Sequence, residues 1–374
     1  MTTIAPGPSF RAEHIGSLLR PPALLAARDA FEAGTIDREA LRAAEDEAIR
    51  GAVALQEEVG LEAVTDGEFR RHTYSDSFTT SGISGIAIAT TEDEGWRKSS
   101  THGHRMARRI PQVVAKIEWQ GAGNARDFAF LKSVTRRTPK ITLPGPAYIH
   151  YRTGREHIAR DVYPNLDTFW SDLVEAYRCE MRALGDAGCT YLQIDETALV
   201  KLGDARAREL LRERGDDWQD LLRIYVDVIN AVVEAAPKEM KIAIHVCRSQ
   251  DPSWQAVASY EPITDAMFNR LAIAAYLLEW DGPRAGSFEP LRHLPKDKRV
   301  VLGLVTAKSM TLESADELKR RIEEASHYAN IMQLGLSPHC GFSTSARAAD
   351  AGAYDMQRAK LARVVEVARA VWGD

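Results

Sequence analysis

Short apolar runs alternate with longer amphipathic stretches along almost the whole chain, and that rhythm predicts the architecture. Eight runs read as strands, each ending in polar or turn-forming residues: FRAEHIGS (10–17), LEAVTDGE (61–68), KITLPGP (140–146), CTYLQIDE (189–196), KIAIHVC (241–247), AAYLLEWD (274–281), RVVLGLV (299–305) and IMQLGLSPHC (331–340). Helices fill most of the gaps. Over 37–59, Leu41, Ala44, Ala48, Leu55 and Val59 fall near one face, and Gly60 follows as a stop. Over 167–187, Phe169, Leu173, Tyr177 and Leu184 do the same, and Gly188 ends the run. Stretches 220–237 and 314–329 are similarly amphipathic, and 345–372 reads as one closing helix.

Repeated strand–helix units with polar residues at each strand's C-terminal end predict an α/β fold of the (β/α)8 TIM-barrel type, one catalytic domain over 1–374. Residues 86–137 break the rhythm. VVAKIEW (113–119) and FAFLKSV (128–134) read there as a β-hairpin inserted after the second strand, near the barrel mouth. A doubly wound open sheet fits less well, because no glycine-rich phosphate loop follows any strand.

Composition narrows the function. The 374 residues are 45% hydrophobic and 27% charged, enough for one large core. A net charge of −5 gives no electrostatic case for nucleic acid or an anionic membrane. No apolar run reaches the roughly 18 residues of a membrane span, and the first residues lack a signal-peptide pattern. The expectation is a cytoplasmic protein whose four cysteines stay reduced. The sequence leaves a monomer and a homo-oligomer both open.

Two of those cysteines carry the sharpest chemistry. His245 and Cys247 lie two apart on one run and so share a face. Glu279 and Cys340 close two other runs. One His, two thiolates and one carboxylate make a four-ligand zinc site offered from several strand ends, an arrangement more often catalytic than structural. An isolated H-x-C is usually core; the two added ligands reverse that weighting. Cys179 and Cys189 read as small buried apolar residues.

Three acids, Glu68, Asp195 and Glu196, also follow apolar runs and would point into the mouth, to neutralise an ammonium or act as bases. Asp195 could instead cap a helix. Gly16 and Ser17 offer backbone amides to a carboxylate, with Arg20 nearby; a simple capped turn is an equal reading. Asp66 and Arg70 read as a surface ion pair, and His102 and His104 as an exposed loop.

HIGSLLRP, VTDGEFRR, LQIDETAL, HVC, LEWDGPRAGSFEPLR and PHCGFST together resemble the cobalamin-independent methionine synthase family, specifically its short single-barrel members, over residues 10 to 370. The resemblance implies Zn2+ held by His245, Cys247, Glu279 and Cys340. It implies a homocysteine pocket of Ile15, Gly16 and Ser17 with Glu68 and Asp195 on the ammonium. The implied reaction moves a methyl group from a methyl-folate or other carrier to the homocysteine thiol, giving methionine. His14, Asp281 and His339 are candidates for protonating the leaving nitrogen. The full enzyme has a second, N-terminal barrel that helps hold folate, and nothing here matches it. The alternatives are a thiol alkyltransferase of the epoxyalkane:coenzyme M type, where Arg20 could meet a sulfonate, a transferase using a corrinoid protein donor, and a non-enzymatic zinc or thiol binder.

Overall fold

The computed structural model describes residues 10–91, 108–121, 123–248, 259–343 and 352–373. Among the described residues, ten strands are defined: β1 (Ala63–Val64), β2 (Ile86–Thr91), β3 (Arg108–Val113), β4 (Thr138–Pro139), β5 (Ile141–Pro144), β6 (Tyr191–Glu196), β7 (Lys241–Val246), β8 (Ala275–Glu279), β9 (Arg299–Val305) and β10 (Leu334–Pro338). β5 to β10 form one parallel sheet in sequence order. β1 pairs in parallel with β4, which leads directly into β5. At the other edge, Ala12 bridges Leu336 in parallel, flanked by Glu13 N–H to Leu336 O (2.9 Å) and Leu336 N–H to Arg11 O (2.8 Å). The first run then meets the second through Thr65 Oγ1 to Gly16 O (2.7 Å) and Leu18 N–H to Gly67 O (3.1 Å).

Strand alternation sorts the side chains into two sets. One face of the sheet, with Leu192, Ile194, Ile242, Ile244, Tyr276, Leu278, Val300 and Leu302, packs into the large core shared with the helices. The other face contributes a small separate cluster of Ile15, Ala63, Tyr191, Ala243, Ala275, Leu277 and Val301. Continuing by twos along this inner face leads from Tyr191 to Gln193 and Asp195, from Ala243 to His245 and Cys247, and from Leu277 to Glu279. The fold therefore gathers the expected metal ligands and one expected substrate acid on one surface.

The helices follow their sequence signals with one change. Helix Leu166–Asp186 starts at an Asn165 cap and buries Phe169, Leu173, Tyr177 and Leu184 as expected. Helix Arg38–Glu58 is capped by Asp37, but its buried stripe is Leu41, Glu45, Ile49, Ala52, Val53 and Gln56. Ala44, Ala48 and Leu55 instead line a cavity of about 510 Å³ beside the C-terminal helix Ala353–Trp372. Helices Trp218–Val233 and Ala315–Ser326 match the remaining stretches. Residues 344–351, the start of the expected closing helix, lie outside the described set, as do His102 and His104.

The hairpin pairing differs from expectation. β2 and β3 form an antiparallel ladder, Ile86 opposite Val113 to Thr91 opposite Arg108. FAFLKSV lies in a helix, Gly123–Val134, which buries Asn124, Ala125, Phe128 and Leu131. Phe130 sits under the guanidinium groups of Arg70 (4.9 Å) and Arg50 (5.4 Å). No helix among the described residues is long and apolar enough to cross a membrane.

Candidate metal and substrate site

His245 and Cys247 rise from β7, Glu279 ends β8, and Cys340 follows β10. One donor atom from each lies within 4.8 Å of the others, a group able to hold a metal ion. The two sulfurs are 3.7 Å apart, and His245 Nε2 is 4.0 Å from Glu279 Oε1. His245 Nδ1 is 3.2 Å from the Leu277 carbonyl. A carbonyl only accepts, so Nδ1 carries the proton and Nε2 is left as the ligating atom. Arg248 N–H holds Glu279 Oε1 at 3.0 Å, while Glu279 N–H donates to Tyr260 Oη at 2.9 Å. His245 Nε2 and Glu279 Oε2 are buried and meet no partner with hydrogen-bond geometry.

The electrostatics of this corner draw in positive charge. Burial opposes a charge on His245, yet the nearby Cys247, Asp195 and Glu279 outweigh it and push its pKa up to about 9. Burial, then the Cys247 charge, lifts the Glu279 carboxyl well above its usual range. The thiol pair shares a proton: the hydrogen bond from Cys340 holds Cys247 well down, and the same bond raises Cys340. A bound cation would displace the Nε2 proton of His245; one imidazole, two sulfurs and one carboxylate, two of whose buried atoms meet no partner, then fit a tetrahedral zinc set.

A second corner lies across the inner face. Asp195 is paired with His245 in the β6–β7 register. Its Oδ1 accepts from Gln193 Nε2 at 2.7 Å. Burial, then repulsion from Glu68, pushes its pKa up to about 7. Glu68 is held at φ 61°, the left-handed region, by its N–H to Asp66 Oδ1 (2.8 Å). Glu68 Oε1 accepts from Thr142 Oγ1 (2.8 Å), Arg71 is 3.6 Å away, and Oε2 makes no hydrogen bond. The 15–17 turn lies against both corners. A Cβ on Gly16 would stand 3.1 Å from Glu68 Oε1 and 2.8 Å from Thr142 Cγ2, so only glycine fits. Ser17 packs on Gly341, next to Cys340.

Other residues land away from their expected roles. Glu196, not Asp195, is the cap: its Oε1 accepts from Ala198 N–H (2.5 Å) and Leu199 N–H (3.3 Å). Arg20 is fully buried and donates to the carbonyls of Ser343, Glu68 and Arg71, so it knits loops rather than meeting a ligand's anion. The Arg70 side chain is also covered and pairs with Glu45, Asp46 and Asp127 instead of Asp66. His14 turns to the helix side beside Gln56, opposite to the inward Glu13 and Ile15. Cys189 is buried as expected, but Cys179 is half-exposed, 3.3 Å from Arg182 Nη2. Asp281 and His339 do join the mouth. His339 Nδ1 accepts from Ala307 N–H (3.0 Å) and lies 3.8 Å from Asp281 Oδ2, and both residues group with Glu279. Sequence reasoning missed Thr142, Gln193, Lys140 and Arg71. Period-two counting back from Asp195 and along 140–144 would have found the first three.

Soft and acidic groups that could hold a metal ion thus gather at the strand ends, beside the buried acids Asp195 and Glu68. The catalytic-domain model of the cobalamin-independent synthases matches residues 10–370, and the chain belongs to that family of methionine-synthase-like methyltransferases. YxjH of Bacillus subtilis, itself uncharacterized, is 34% identical over 97% of this chain and 95% of its own length. A Listeria monocytogenes structure provisionally assigned as a vitamin-B12 independent methionine synthase is 30% identical, covers both chains completely and gives a TM-score of 0.76. A B12-independent methionine synthase from Shewanella sp. W3-18-1, solved with selenomethionine, is 18% identical over 97% of this chain and 98% of that one, with a TM-score of 0.73. At that identity the likeness speaks for the fold.

Proposed function

We propose that the eight parallel runs close into a (β/α)8 barrel and that its mouth transfers a methyl group to the thiol of homocysteine. His245, Cys247, Glu279 and Cys340 hold zinc. When bound, zinc supplies the positive charge that keeps a substrate thiol deprotonated near neutral pH. Asp195 and Glu68 receive the substrate ammonium, and the Ile15–Gly16–Ser17 turn receives its carboxylate. The observation carrying the reading is the pair of buried acids, one with an unpaired oxygen, on the same inner face as the four ligands. A buried ammonium between carboxylates satisfies both.

The substrate sulfur forms a bond to the methyl carbon as the carbon–nitrogen bond of a methyl-folate-type donor breaks. The electron pair leaves with nitrogen, which takes a proton. We assign that proton to the Asp281–His339 pair, because His14 faces the helix layer. Holding donor and thiol in line is the main contribution asked of the walls. The coenzyme M reading loses its anchor, since Arg20 is committed to three carbonyls.

The test is calorimetric titration of zinc-loaded protein with homocysteine and, separately, coenzyme M. Homocysteine binding with proton release and no matching coenzyme M binding is expected; the reverse preference overturns the proposal. Asp195→Asn should weaken homocysteine about 10–100-fold, the loss of a charged hydrogen bond, and leave 2-mercaptoethanol unchanged.

A further inference from the structure

Beneath the two corners, four side chains from three inward-facing runs form one buried chain of contacts. Lys140 Nζ donates to Glu13 Oε2 (3.0 Å), to the His14 carbonyl and to Gln193 Oε1 (3.2 Å). Three acceptors use all three ammonium protons. Tyr191 Oη donates to the other Glu13 oxygen at 2.7 Å. Gln193 Nε2 then donates to the Ile15 carbonyl at 2.6 Å and to Asp195 Oδ1 at 2.7 Å. Glu13, Lys140, Tyr191 and Gln193 are each at most 1% exposed.

The orientation of the Gln193 amide follows from this chemistry. Lys140 only donates, so it requires the amide oxygen on its side. Ile15 O and the Asp195 carboxylate only accept, so they require the amide nitrogen on theirs. One amide is thereby the mechanical link between the turn at Ile15 and the acid at Asp195. These are the two elements that the proposed function gives to opposite ends of an amino acid. Glutamine supplies both an acceptor and two donors at this reach; a carboxylate of similar length supplies only acceptors, and an apolar chain neither.

We infer that Gln193, oriented by Lys140, is a positioning residue that sets Asp195 and the Ile15 turn in register and so makes the site selective for a thiol bearing an amino-acid head group. The inference rests on the homocysteine reading. It assigns selectivity to a residue beneath the pocket.

The experiment compares the parent protein with Gln193→Met and Gln193→Glu, all zinc-loaded. Met keeps the length and loses both donors and the oxygen that accepts from Lys140. Glu keeps the bond from Lys140 and sets an acceptor against Asp195. Zinc content by metal analysis and the thermal unfolding midpoint are measured first; then affinities for homocysteine and for 2-mercaptoethanol, which lacks the head group, are measured calorimetrically. We expect parent-like zinc content, a 10–100-fold weaker homocysteine affinity in both variants, the larger loss in Gln193→Glu, and 2-mercaptoethanol within threefold of the parent. Homocysteine affinity within threefold of the parent overturns the positioning role. An equal loss for both thiols also overturns it, because the residue would then act through fold or metal. A parent that fails to bind homocysteine overturns the functional reading itself, and the inference with it.

Discussion

The floor and the mouth of the same strands treat buried polarity in opposite ways. On the floor, Glu13, Lys140, Tyr191 and Gln193 satisfy one another and the carbonyls of His14 and Ile15. At the mouth, one inward step further along the strands, Glu68 Oε2, His245 Nε2 and Glu279 Oε2 are equally buried and make no hydrogen bond. Leaving such an atom unsatisfied costs about 1–3 kcal/mol. A fold that completes a network of four buried side chains just below is not short of partners. The saturated layer is support, and the unsatisfied layer is where a ligand's atoms belong.

The largest test of that contrast removes mouth ligands. Cys247→Ser and Cys340→Ser should each lower zinc affinity by more than about 100-fold, the upper range seen for lost outer-shell partners. Metal analysis after zinc-replete growth, followed by competition with a chelator, reads this directly. Both sulfurs are on a rim already held by backbone contacts, so the unfolding midpoint of the metal-free variants should stay near that of the metal-free parent. Stoichiometric, tightly held zinc in both variants would leave the four-ligand centre without support.

The floor should respond in the opposite sense, through stability. Lys140→Met strands the Glu13 carboxylate in a buried setting and should cost about 3–5 kcal/mol. Replacing both charges, Lys140→Met with Glu13→Leu, should recover most of that loss, because a buried ion pair exchanged for packed apolar groups is often neutral. Denaturant unfolding measures both. The double variant should still bind homocysteine more weakly than the parent, since the Gln193 amide then keeps its bonds to Ile15 and Asp195 but loses the Lys140 ammonium that holds its oxygen. A double variant as unstable as the single one would show that the charges are not the point of the floor.

Much of this contrast was readable in the sequence, but unevenly. The eight apolar runs and the gathering of His245, Cys247, Glu279 and Cys340 were legible because strand ends and soft donor groups announce themselves locally. Asp195 was legible for the same reason. Gln193 was not, although it sits two residues before Asp195 on the same face, because an amide suggests no chemistry until its partners are known. Arg20 stayed open between two readings because its partners, the carbonyls of Glu68, Arg71 and Ser343, come from distant loops. The run 128–134 was misread because Phe130 finds its cover in Arg50 and Arg70 rather than in a neighbouring strand. Local pattern carried period and residue type; long-range contacts decided which polar groups were already engaged.

The smallest test asks whether every unsatisfied buried nitrogen is a functional one. His150 Nε2 makes no hydrogen bond either, yet it lies in the short helix Tyr148–Thr153, with Nδ1 2.9 Å from Tyr225 Oη and its ring against Trp170. Burial first, then the charges of Arg214 and Arg155, push its pKa down to about 3. In the unfolded chain a histidine titrates near 6.5, so below that pH the unfolded state binds a proton that the native state refuses. The His150 contribution is complete above about pH 6.5 and drains away towards pH 3, at roughly 1.4 kcal/mol per pH unit. Parent protein should therefore lose stability on acidification more steeply than His150→Gln, while zinc content and homocysteine binding stay equal in the two. Identical acid slopes would mean that His150 is charged in the native state. Loss of zinc from the variant would mean that unsatisfied atoms beyond the mouth also serve the ligands, and the division between supporting and receiving layers would have to be redrawn around the helix that carries His150.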